Sequence, residues 1–551
     1  MKNITESTIR QQTKPINAYI AEGMIGSQEN EDTFALFRKV QSGCVYEQAI
    51  GRLQTDAQGE GLESTANSSS GAYFLNENSI GSSKSTSDAL VALRKAGAMD
   101  LPQFQSLDSK LKLGPGVGFV MPPNCYLGLL DSGSRNPEYA LNYNAPGGTE
   151  LARRGISNII GASVYPEKES PVDPSGCFQV SGATEGLQVS IQAIKEISGD
   201  TSRVALLGPG YYAAPLAAAR LGFAPYRIAS KFMNPNTGFL PSPDEIQSQM
   251  TDDTKLIVVA APNNPDGADY SQKDWEGILG GLKKKPQTRL LLDNIFGGLR
   301  FDQSTEDPCL AKAVELGVMD QIIVTGSLSK SINLPGPRIG WLATADSKMQ
   351  GVINEILVDQ KCNPQLTQTP ILEFEGLACK VDALMKNDKK IKTPEEALRI
   401  VGVLPSSFGQ REFGQMYRER QVWKQEVLKY YKGNLEVVTE MLNKSGVMVN
   451  GSPNRAGFNT FVQLNVPKGT NSMDYLSQLM MTTATYSQVS PCFGLPQKTW
   501  DQDKGLWFRI SYACDRQDLI EGVQRLVAFN RFYTSNPPSQ NKLQVSYDNQ
   551  V

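Results

Sequence analysis

The segment Ser327–Trp341 holds the side chains with the clearest chemical potential in the sequence, a lysine at position 330 and an arginine eight residues later. Small hydroxyl residues flank Lys330, and an apolar run typical of a buried strand precedes it. A lysine at a strand end can reach the aldehyde of a cofactor without steric interference, and Arg338 can return to the same phosphate as Ser327. The Pro335–Trp341 stretch is hard to reconcile with an ordinary surface loop. The pattern therefore predicts a lysine that carries a cofactor.

Histidine is absent from all 551 residues. Its absence excludes Ser-His-Asp and Cys-His nucleophilic sites, His-based zinc and iron sites, and haem held by His. Proton transfer near neutral pH must then be carried by Lys, Asp, Glu, Tyr or Cys with a shifted pKa, or by a cofactor. A mechanism based on a lysine and its cofactor fits this constraint, and we expect no metal site.

Composition and charge indicate a small molecule as the partner. Lys and Arg total 54 against 57 Asp and Glu, a net charge of −3, so nothing favours nucleic acid or an anionic membrane surface. The first residues lack the apolar run of a signal peptide, and no stretch approaches the ~18 apolar residues of a membrane span. The eight cysteines include no C-x-x-C pair. We expect a cytoplasmic, soluble protein with reduced thiols that binds neither nucleic acid nor membranes.

Short apolar runs separated by helical patterns fill the region from about 175 to 345. Gly, Pro or Asn bounds each run, and the runs are continuous instead of alternating, as expected for strands buried on both faces. The predicted strands are Phe178–Val180, Val204–Leu207, Leu256–Ala260, Leu290–Leu292, Ile322–Val324 and Ile339–Ala343. The pattern predicts an α/β fold whose large domain, 146–345, has a mostly parallel sheet flanked by helices.

The remaining regions predict a smaller C-terminal domain and several additions. The smaller α+β domain, 421–534, has predicted helices at Tyr417–Tyr431, Leu435–Lys444 and Asp518–Phe532 and predicted strands at Phe458–Leu464 and Trp507–Tyr512. The other predicted regions are an N-terminal extension over 1–100, a segment over 101–145 that joins the small domain and a dimer interface, an insertion over 362–420 and a disordered tail over 535–551.

The segment around Lys330 closely resembles the cofactor-lysine motif of the class I/II aminotransferases, the fold-type I enzymes that depend on pyridoxal 5'-phosphate. The resemblance extends in the same order over roughly Tyr139 to Val527. It implies that Lys330 holds the cofactor as a Schiff base and then removes the α-proton of an amino-acid substrate. It also implies that Asp293, at the end of an apolar run, pairs with the protonated pyridine nitrogen and keeps the ring an electron sink. Without the resemblance, Asp293 is equally suited to cap a helix.

Other positions match further contacts of the family. The turn Gly182, Ala183 and Thr184 matches the phosphate cup, and a helix that begins there favours an anion on physical grounds. The remaining matches are Tyr211 for ring stacking, Asn264 for the phenolic oxygen and the substrate, Ser327 and Arg338 for the phosphate, and Arg509 for the substrate α-carboxylate. Taken alone, the turn could serve close packing, Tyr211 could fill a domain interface, and Arg509 could lie on the surface.

Tyr143 resembles the tyrosine that reaches the phosphate of the neighbouring subunit in dimeric family members, with Tyr139 as a rival. This match implies a homodimer. Two features depart from the family. Phe296 stands where a tyrosine often donates to the phenolic oxygen, and without histidine another group must orient Asp293. Both departures put ordinary transamination in doubt.

Three interpretations of the function remain open. The first is an aminotransferase, and the second is a pyridoxal-phosphate-dependent lyase, cyclase or decarboxylase of the same fold, which the departures and the enlarged chain favour. The third is a non-enzymatic regulator that binds the cofactor and DNA. A regulator of this kind needs a basic DNA-binding module, and the acidic residues of 1–100 outnumber the basic ones.

Overall fold

The computed structural model describes residues 113, 118, 120–137, 139, 145–164, 169–199, 202–360, 366–483, 485, 487–495, 501 and 504–535. The predicted N-terminal extension, nearly all of the predicted C-terminal tail, and Tyr143 lie outside the described residues. The described residues form two compact units. The first comprises those within 117–429 and 453–457, and the second comprises residue 113, 430–452 and 458–535.

The first unit is built on a sheet whose described strands number seven. They are β1 (Cys177–Ser181), β2 (Arg203–Leu207), β3 (Ala224–Ile228), β4 (Thr254–Ala260), β5 (Arg289–Asp293), β6 (Ile322–Ser327) and β7 (Ile339–Thr344). Their order is β1-β7-β6-β5-β4-β2-β3, and β7 runs antiparallel to both neighbours. The sheet confirms the six predicted strands. The prediction missed β3 because Pro225 and Arg227 interrupt its apolar pattern.

Both faces of this sheet are buried. Val204, Leu206 and Leu256 belong to one apolar cluster, and Ala205 and Leu207 belong to another. Successive residues of a strand point to opposite faces, so each face packs against its own layer of helices. Each large apolar side chain buried in this way contributes about 1.5–3 kcal/mol. Continuous apolar runs were therefore the correct signal for these strands.

The helices of the first unit surround the sheet and continue after it. They are α1 (Asn124–Arg135), α2 (Glu150–Ala162), α3 (Ala183–Ser198), α4 (Ala213–Arg220), α5 (Pro243–Gln249), α6 (Gln272–Lys283), α7 (Pro308–Leu316), α8 (Leu328–Ser331), α9 (Ser347–Gln360), α10 (Thr369–Asn387), α11 (Pro394–Val401) and the first part of α12 (Gln410–Ser445). Among the described residues, no helix has the length and apolarity needed to cross a membrane.

The region 362–420, predicted as an insertion, contributes α10, α11 and the start of α12. Helix α10 packs closely on α2 at two glycines. A Cβ on Gly155 would lie 2.2 Å from the carbonyl oxygen of Leu372, and a Cβ on Gly376 would lie 2.4 Å from that of Gly155. The two backbones are therefore in direct contact, and α10 is part of the core of the first unit. That the region is an insertion stays a prediction.

The prediction of two helices between 417 and 444 was wrong, because α12 is continuous over Gln410–Ser445. Gly433 and Asn434 are weak helix formers and suggested a break. In the structure Asn434 is held by tertiary bonds instead. Its Nδ2 donates to the carbonyl of Tyr512 at 2.9 Å, and its Oδ1 accepts from Nε of Arg516 at 2.8 Å.

The second unit contains an antiparallel sheet of order β10-β11-β9-β8. Its strands are β8 (Met448–Gly451), β9 (Asn459–Leu464), β10 (Gln488–Val489) and β11 (Trp507–Ser511), and its helices are the end of α12, α13 (Ser472–Thr483) and α14 (Arg516–Ser535). The unit is the predicted smaller α+β region, with strands β9 and β11 close to their predicted bounds. Leu113 joins it, since its carbonyl accepts from the backbone N–H of Ser511 at 2.7 Å.

Candidate active site

The strand ends of the first unit bring most of the predicted site residues to one edge of the sheet. Ala260 lies opposite Asp293, and Ser327 lies opposite Gly340. Asp293 is the last residue of β5 at this edge. The segments that follow β1, β2, β4 and β6 carry Gly182, Tyr211, Asn264 and Lys330 in that order. In open α/β sheets, ligands bind outside the carboxyl ends of the strands. Motifs that are far apart in the sequence therefore lie along one edge of the sheet.

Gly182 forms a tight corner at the end of β1. Its φ is 82°, in the left-handed region that favours glycine, and a Cβ would lie 2.4 Å from Nη2 of Arg338. Helix α3 begins at the next residue, Ala183, so its first backbone N–H groups and the positive end of its dipole lie at this corner. Only a glycine lets the guanidinium approach the helix start this closely. The corner is suited to an anion.

Arg338 and Ser327 complete this corner. The guanidinium is exposed and donates to the carbonyls of Ser181 at 3.3 Å and Pro335 at 3.1 Å. The hydroxyl of Ser327 is buried and caps α8, accepting from the backbone N–H of Ser329 at 2.9 Å and donating to its hydroxyl at 2.7 Å. This cap fixes the start of the short helix that carries Lys330.

Tyr211 links the anion corner to the middle of the sheet. Its hydroxyl hydrogen-bonds to the side chain of Thr184, and its ring centroid lies 4.6 Å from that of Tyr212. Burial raises the pKa of Tyr211 to about 12, Tyr212 and the Asp293 carboxylate add to the rise, and Thr184 opposes it. Tyr211 is half-buried and offers a flat ring at the site.

Asp293 places a buried carboxyl group at this edge of the sheet. The residue is buried, and within the described part of the chain its Oδ1 has no hydrogen-bond partner. Burial raises the pKa of Asp293 to about 7, while the Ile295 N–H and the charge of Lys330 lower it. A buried acceptor without a partner costs about 1–3 kcal/mol, so this oxygen is suited to a cationic donor. Asp293 does not cap the next helix, since Phe296 holds the N-cap position of the 3₁₀ turn Gly297–Leu299.

The two segments beside Asp293 carry Lys330 and Asn264. Lys330 is half-buried on α8, within electrostatic range of Asp293. Asn264 is half-buried in a turn closed by a 3.0 Å bond from the N–H of Gly267 to the carbonyl of Asn263. Asp266 stabilises the same turn by accepting from Nδ2 of Asn263 at 2.8 Å. Both functional groups therefore stand on short, internally bonded segments.

Arg509 belongs to the second unit and is described within it. It lies on β11 opposite Phe461 and is 4 % exposed. Its guanidinium lies 5.3 Å from the centroid of the Phe493 ring, a cation–π distance. The alternative of a surface arginine is therefore wrong. A planar fork held on a rigid strand suits bidentate binding of a carboxylate.

Buried charged residues near Asp293 and Asn264 were missed by the sequence analysis. Arg300, Asp269 and Asp307 are all buried, and Arg300 forms an ion pair with each of the two carboxylates. Their wide spacing gives no local motif. The signal that could have found them is that all three lie in loops directly after β4 and β5, where a charged residue needs a partner once buried.

Comparison with known proteins places the chain in a family. The family model for aminotransferase class I and II matches residues 141–526. The chain belongs to this family. The structure of an aspartate aminotransferase from Rhizobium meliloti shares the fold, with a TM-score of 0.60 and 17% identity, over 86% of this chain and 99% of that one. The predicted family and the fold-type I architecture are thus confirmed.

Family relatives differ in what they do. Nicotianamine aminotransferase A of Hordeum vulgare is 27% identical over 265 residues, 48% of this chain and 53% of that protein. Capreomycidine synthase of Streptomyces vinaceus is 35% identical over 109 residues, 20% of this chain and 26% of that protein. The chain thus spans about half or less of the length of these relatives. Family membership alone does not select the reaction.

Proposed function

We propose that this protein is a pyridoxal 5'-phosphate-dependent aminotransferase of an α-amino acid, with its cofactor site at the carboxyl edge of the first sheet. The observation that carries the proposal is the buried Asp293 Oδ1, which has no hydrogen-bond partner among the residues that the structure describes. A protonated pyridine nitrogen is a cationic donor of the kind this oxygen requires. An apolar ligand would leave that requirement unmet.

The other residues present fit the same cofactor. The Gly182 corner combines a helix N-terminus with the Arg338 guanidinium, which suits a phosphate dianion. Ala183 and Thr184 would add donors to the phosphate, and the Ser327 hydroxyl would do so once its hydrogen turns away from Ser329. The remaining roles are Tyr211 against the ring face, Asn264 at the phenolic oxygen, and Lys330 at the aldehyde. When bound, pyridoxal phosphate supplies an electron sink for charge that develops on the substrate α-carbon.

The chain's own groups would then perform binding and proton transfer. Arg509 binds the substrate α-carboxylate through two of its guanidinium nitrogens, which fixes the substrate's orientation. Asp293 remains ionised opposite the ring nitrogen. Lys330 takes the α-proton on its Nζ and returns a proton from the same atom, because it is the amine beside Asp293 and no histidine exists to replace it.

The proposal includes a cytoplasmic homodimer in which Tyr143 reaches the phosphate bound by the partner chain. Its support is the family resemblance around Tyr143. Light scattering after size exclusion should give twice the mass of 60.2 kDa. In that dimer a Tyr143→Phe change should weaken cofactor binding and leave the mass unchanged.

A lyase, cyclase or decarboxylase is a second candidate, and Phe296 favours it. Phe296 is buried and has no hydroxyl to offer a phenolic oxygen. The similarity to capreomycidine synthase, whose name indicates synthesis instead of amino transfer, agrees with this candidate. Both candidates use Lys330, Asp293 and Arg509 in the same way up to removal of the α-proton.

A single-turnover experiment separates the two candidates. The purified, cofactor-loaded protein is mixed with each of a panel of amino acids without any keto acid. An aminotransferase should release about one keto acid per site and then stop, because the amino group remains on the protein. Continuous release of ammonia or CO₂ would contradict transamination and support the second candidate. Lys330→Ala should be inactive in both assays.

A further inference from the structure

Arg300 stands at the centre of a buried ion network. Its Nε donates to Oδ2 of Asp269 at 2.8 Å, and its Nη2 donates to Oδ2 of Asp307 at 3.2 Å. The exposed fractions of the three side chains are 9, 8 and 2 %. Burial lowers the pKa of Arg300, but the two carboxylates outweigh it and raise that pKa further above its ordinary value. The guanidinium is therefore a permanent charge.

One arm of this network reaches the residue next to Asp293. Oδ2 of Asp307, which accepts from Arg300, also accepts from Nδ2 of Asn294 at 3.0 Å. The backbone N–H of Asn294 donates to the carbonyl of Thr325 on β6 at 2.9 Å. Asn294 is thus held from two directions, and the backbone of Asp293 is fixed with it.

The other arm reaches the turn that carries Asn264. Asp269 lies five residues after Asn264 and binds Arg300 through Oδ2, while its Oδ1 accepts from the N–H of Tyr270 at 3.0 Å. The carbonyl of Gly267, inside the turn, accepts from the N–H of Arg455 at 2.8 Å. Residue 456 in turn pairs with Arg300 through a β-bridge. Arg300 therefore connects the loops after β4 and β5 through both its side chain and its backbone.

We propose that Arg300 is a positioning residue, which through Asp307 and Asn294 on one side and Asp269 on the other fixes Asp293 and Asn264 relative to each other for the cofactor. This inference rests on the proposed function. It answers how a chain without histidine orients its essential carboxylate. Neither Asp269 nor Arg300 touches the cofactor in this account.

The chain supplies a matched control at the opposite end of β5. Arg289 forms an ion pair with Asp346 at 2.8 Å, and Asp346 accepts from the backbone N–H of Lys348 at 2.9 Å, at the start of α9. Asp307 caps α7 in the same way through Cys309. In each case an arginine on or shortly after β5 pairs with an aspartate that caps a helix. Only the Arg300 network adjoins the proposed site.

The test compares Arg300→Met, Arg300→Lys, the neutral triple variant Asp269→Asn/Arg300→Met/Asp307→Asn, and the control Arg289→Met. Each purified protein is stripped of cofactor, and three quantities are measured. These are the thermal midpoint without cofactor, the dissociation constant for pyridoxal phosphate, and the pH midpoint of the visible absorbance of the bound cofactor. Activity is not needed for any of them.

We expect both arginine-to-methionine changes to lower the thermal midpoint. Only Arg300→Met should weaken pyridoxal-phosphate binding, by roughly tenfold or more, the scale seen when groups that orient a binding residue are removed. Arg300→Lys should fall between wild type and Arg300→Met, since an ammonium cannot bridge two carboxylates as a planar fork does. Arg289→Met should bind within about twofold of wild type.

The neutral triple variant separates positioning from stability. It leaves neither carboxylate of the network charged and unpaired, so its thermal midpoint should recover relative to Arg300→Met. Cofactor binding should stay weak, and the pH midpoint of the bound cofactor's absorbance should differ from that of wild type in both variants. Recovery of binding together with stability would overturn the inference, as would equal weakening in Arg289→Met. If Arg300→Met does not fold, Arg300→Lys and the triple variant carry the comparison. Wild-type protein that binds no pyridoxal phosphate would overturn the proposed function as well.

Discussion

The two ends of strand β5 differ in how their charges are satisfied. At the amino end, Arg289 and Asp346 pair with each other, and Asp346 caps a helix. At the carboxyl end, Asp293 is buried with an oxygen for which the described residues offer no hydrogen-bond partner. A carboxylate that only stabilises a fold is found with its partners in place. An unsatisfied one at the ligand-binding edge indicates that the partner arrives from outside.

Removing the amine at the carboxyl edge should give the largest effect. Lys330→Ala should lower amino-acid turnover by at least about 10³-fold, because the proton-transfer group and the covalent anchor are lost together. The visible absorbance of the bound cofactor should change as well. Lys348→Ala, on the first turn of α9 at the other end of the sheet, is the control, and turnover equal to that of this control would contradict the role of Lys330.

Neutralising the two carboxylates of the comparison should separate function from stability. Asp293→Asn should reduce turnover by about 10²-fold or more, since an amide cannot stabilise a cationic ring nitrogen. Asp346→Asn should instead lower the free energy of unfolding by about 1–3 kcal/mol and leave turnover per folded molecule nearly unchanged. Turnover and urea denaturation measured on both variants decide the matter. Lost turnover in Asp346→Asn together with normal turnover in Asp293→Asn would contradict the distinction between the two ends of β5.

Protonation of Asp293 should make the stability of the cofactor-free protein depend on pH. The folded-state pKa of Asp293 is raised from 3.8 to about 7, so protonated Asp293 stabilises the cofactor-free fold below pH 4, and this contribution is lost as pH rises to about 7. The full change corresponds to about 4 kcal/mol as an upper estimate. Denaturant unfolding between pH 4 and 8 should show this loss in wild type. The loss should be smaller in Asp293→Asn than in wild type, because Asp474 and Asp501, whose pKa values burial raises to about 6, still titrate in this range.

Two glycines at the ends of α3 allow a smaller test of the anion corner. Gly182 and Gly199 have φ of 82° and 80°, but a Cβ at Gly182 would lie 2.4 Å from Arg338, whereas at Gly199 nothing lies within 4 Å. Substitution by alanine should cost about 1–2 kcal/mol at either position. Gly182→Ala should in addition weaken pyridoxal-phosphate binding roughly tenfold. Equal binding by the two variants would count against a phosphate at this corner.

The smallest expected effect is at Phe296. A Phe296→Tyr change adds a donor where the family often has one, and a hydrogen bond to a phenolate favours its charged form. The pH midpoint of the bound cofactor's absorbance should therefore fall by up to about one pH unit. An unchanged midpoint would show that residue 296 does not face the phenolic oxygen.

The sequence predicted the sheet because its strands are buried on both faces and leave continuous apolar runs, as in Leu290–Leu292. It missed β3, whose Pro225 and Arg227 interrupt the run, and it divided α12 near Asn434, which tertiary hydrogen bonds hold in the helix. Local patterns predict elements well where burial dominates. They do not predict elements that form only because long-range contacts outweigh weak local propensity.

The site residues could be proposed from the sequence because short motifs follow the strand ends, as Lys330 follows β6. The hydrogen bonds and ion pairs that connect these segments could not be predicted. The bond between Tyr211 and Thr184 joins the segment after β2 to the first turn of α3, and Arg300 meets Asp269 and Asp307 across 31 and 7 residues. Such contacts depend on the topology of the sheet and leave no periodic signal. The roles of the individual site residues stay predictions that the variants above test.

The most direct test of the central claim is chemical trapping of the cofactor on the protein. Purified protein is incubated with pyridoxal phosphate, reduced with sodium borohydride, digested and analysed by mass spectrometry. If Lys330 holds the cofactor as a Schiff base, we expect one phosphopyridoxyl adduct per chain, on Nζ of Lys330, and no adduct in Lys330→Ala. An adduct confined to other lysines, or none at all, would contradict the account.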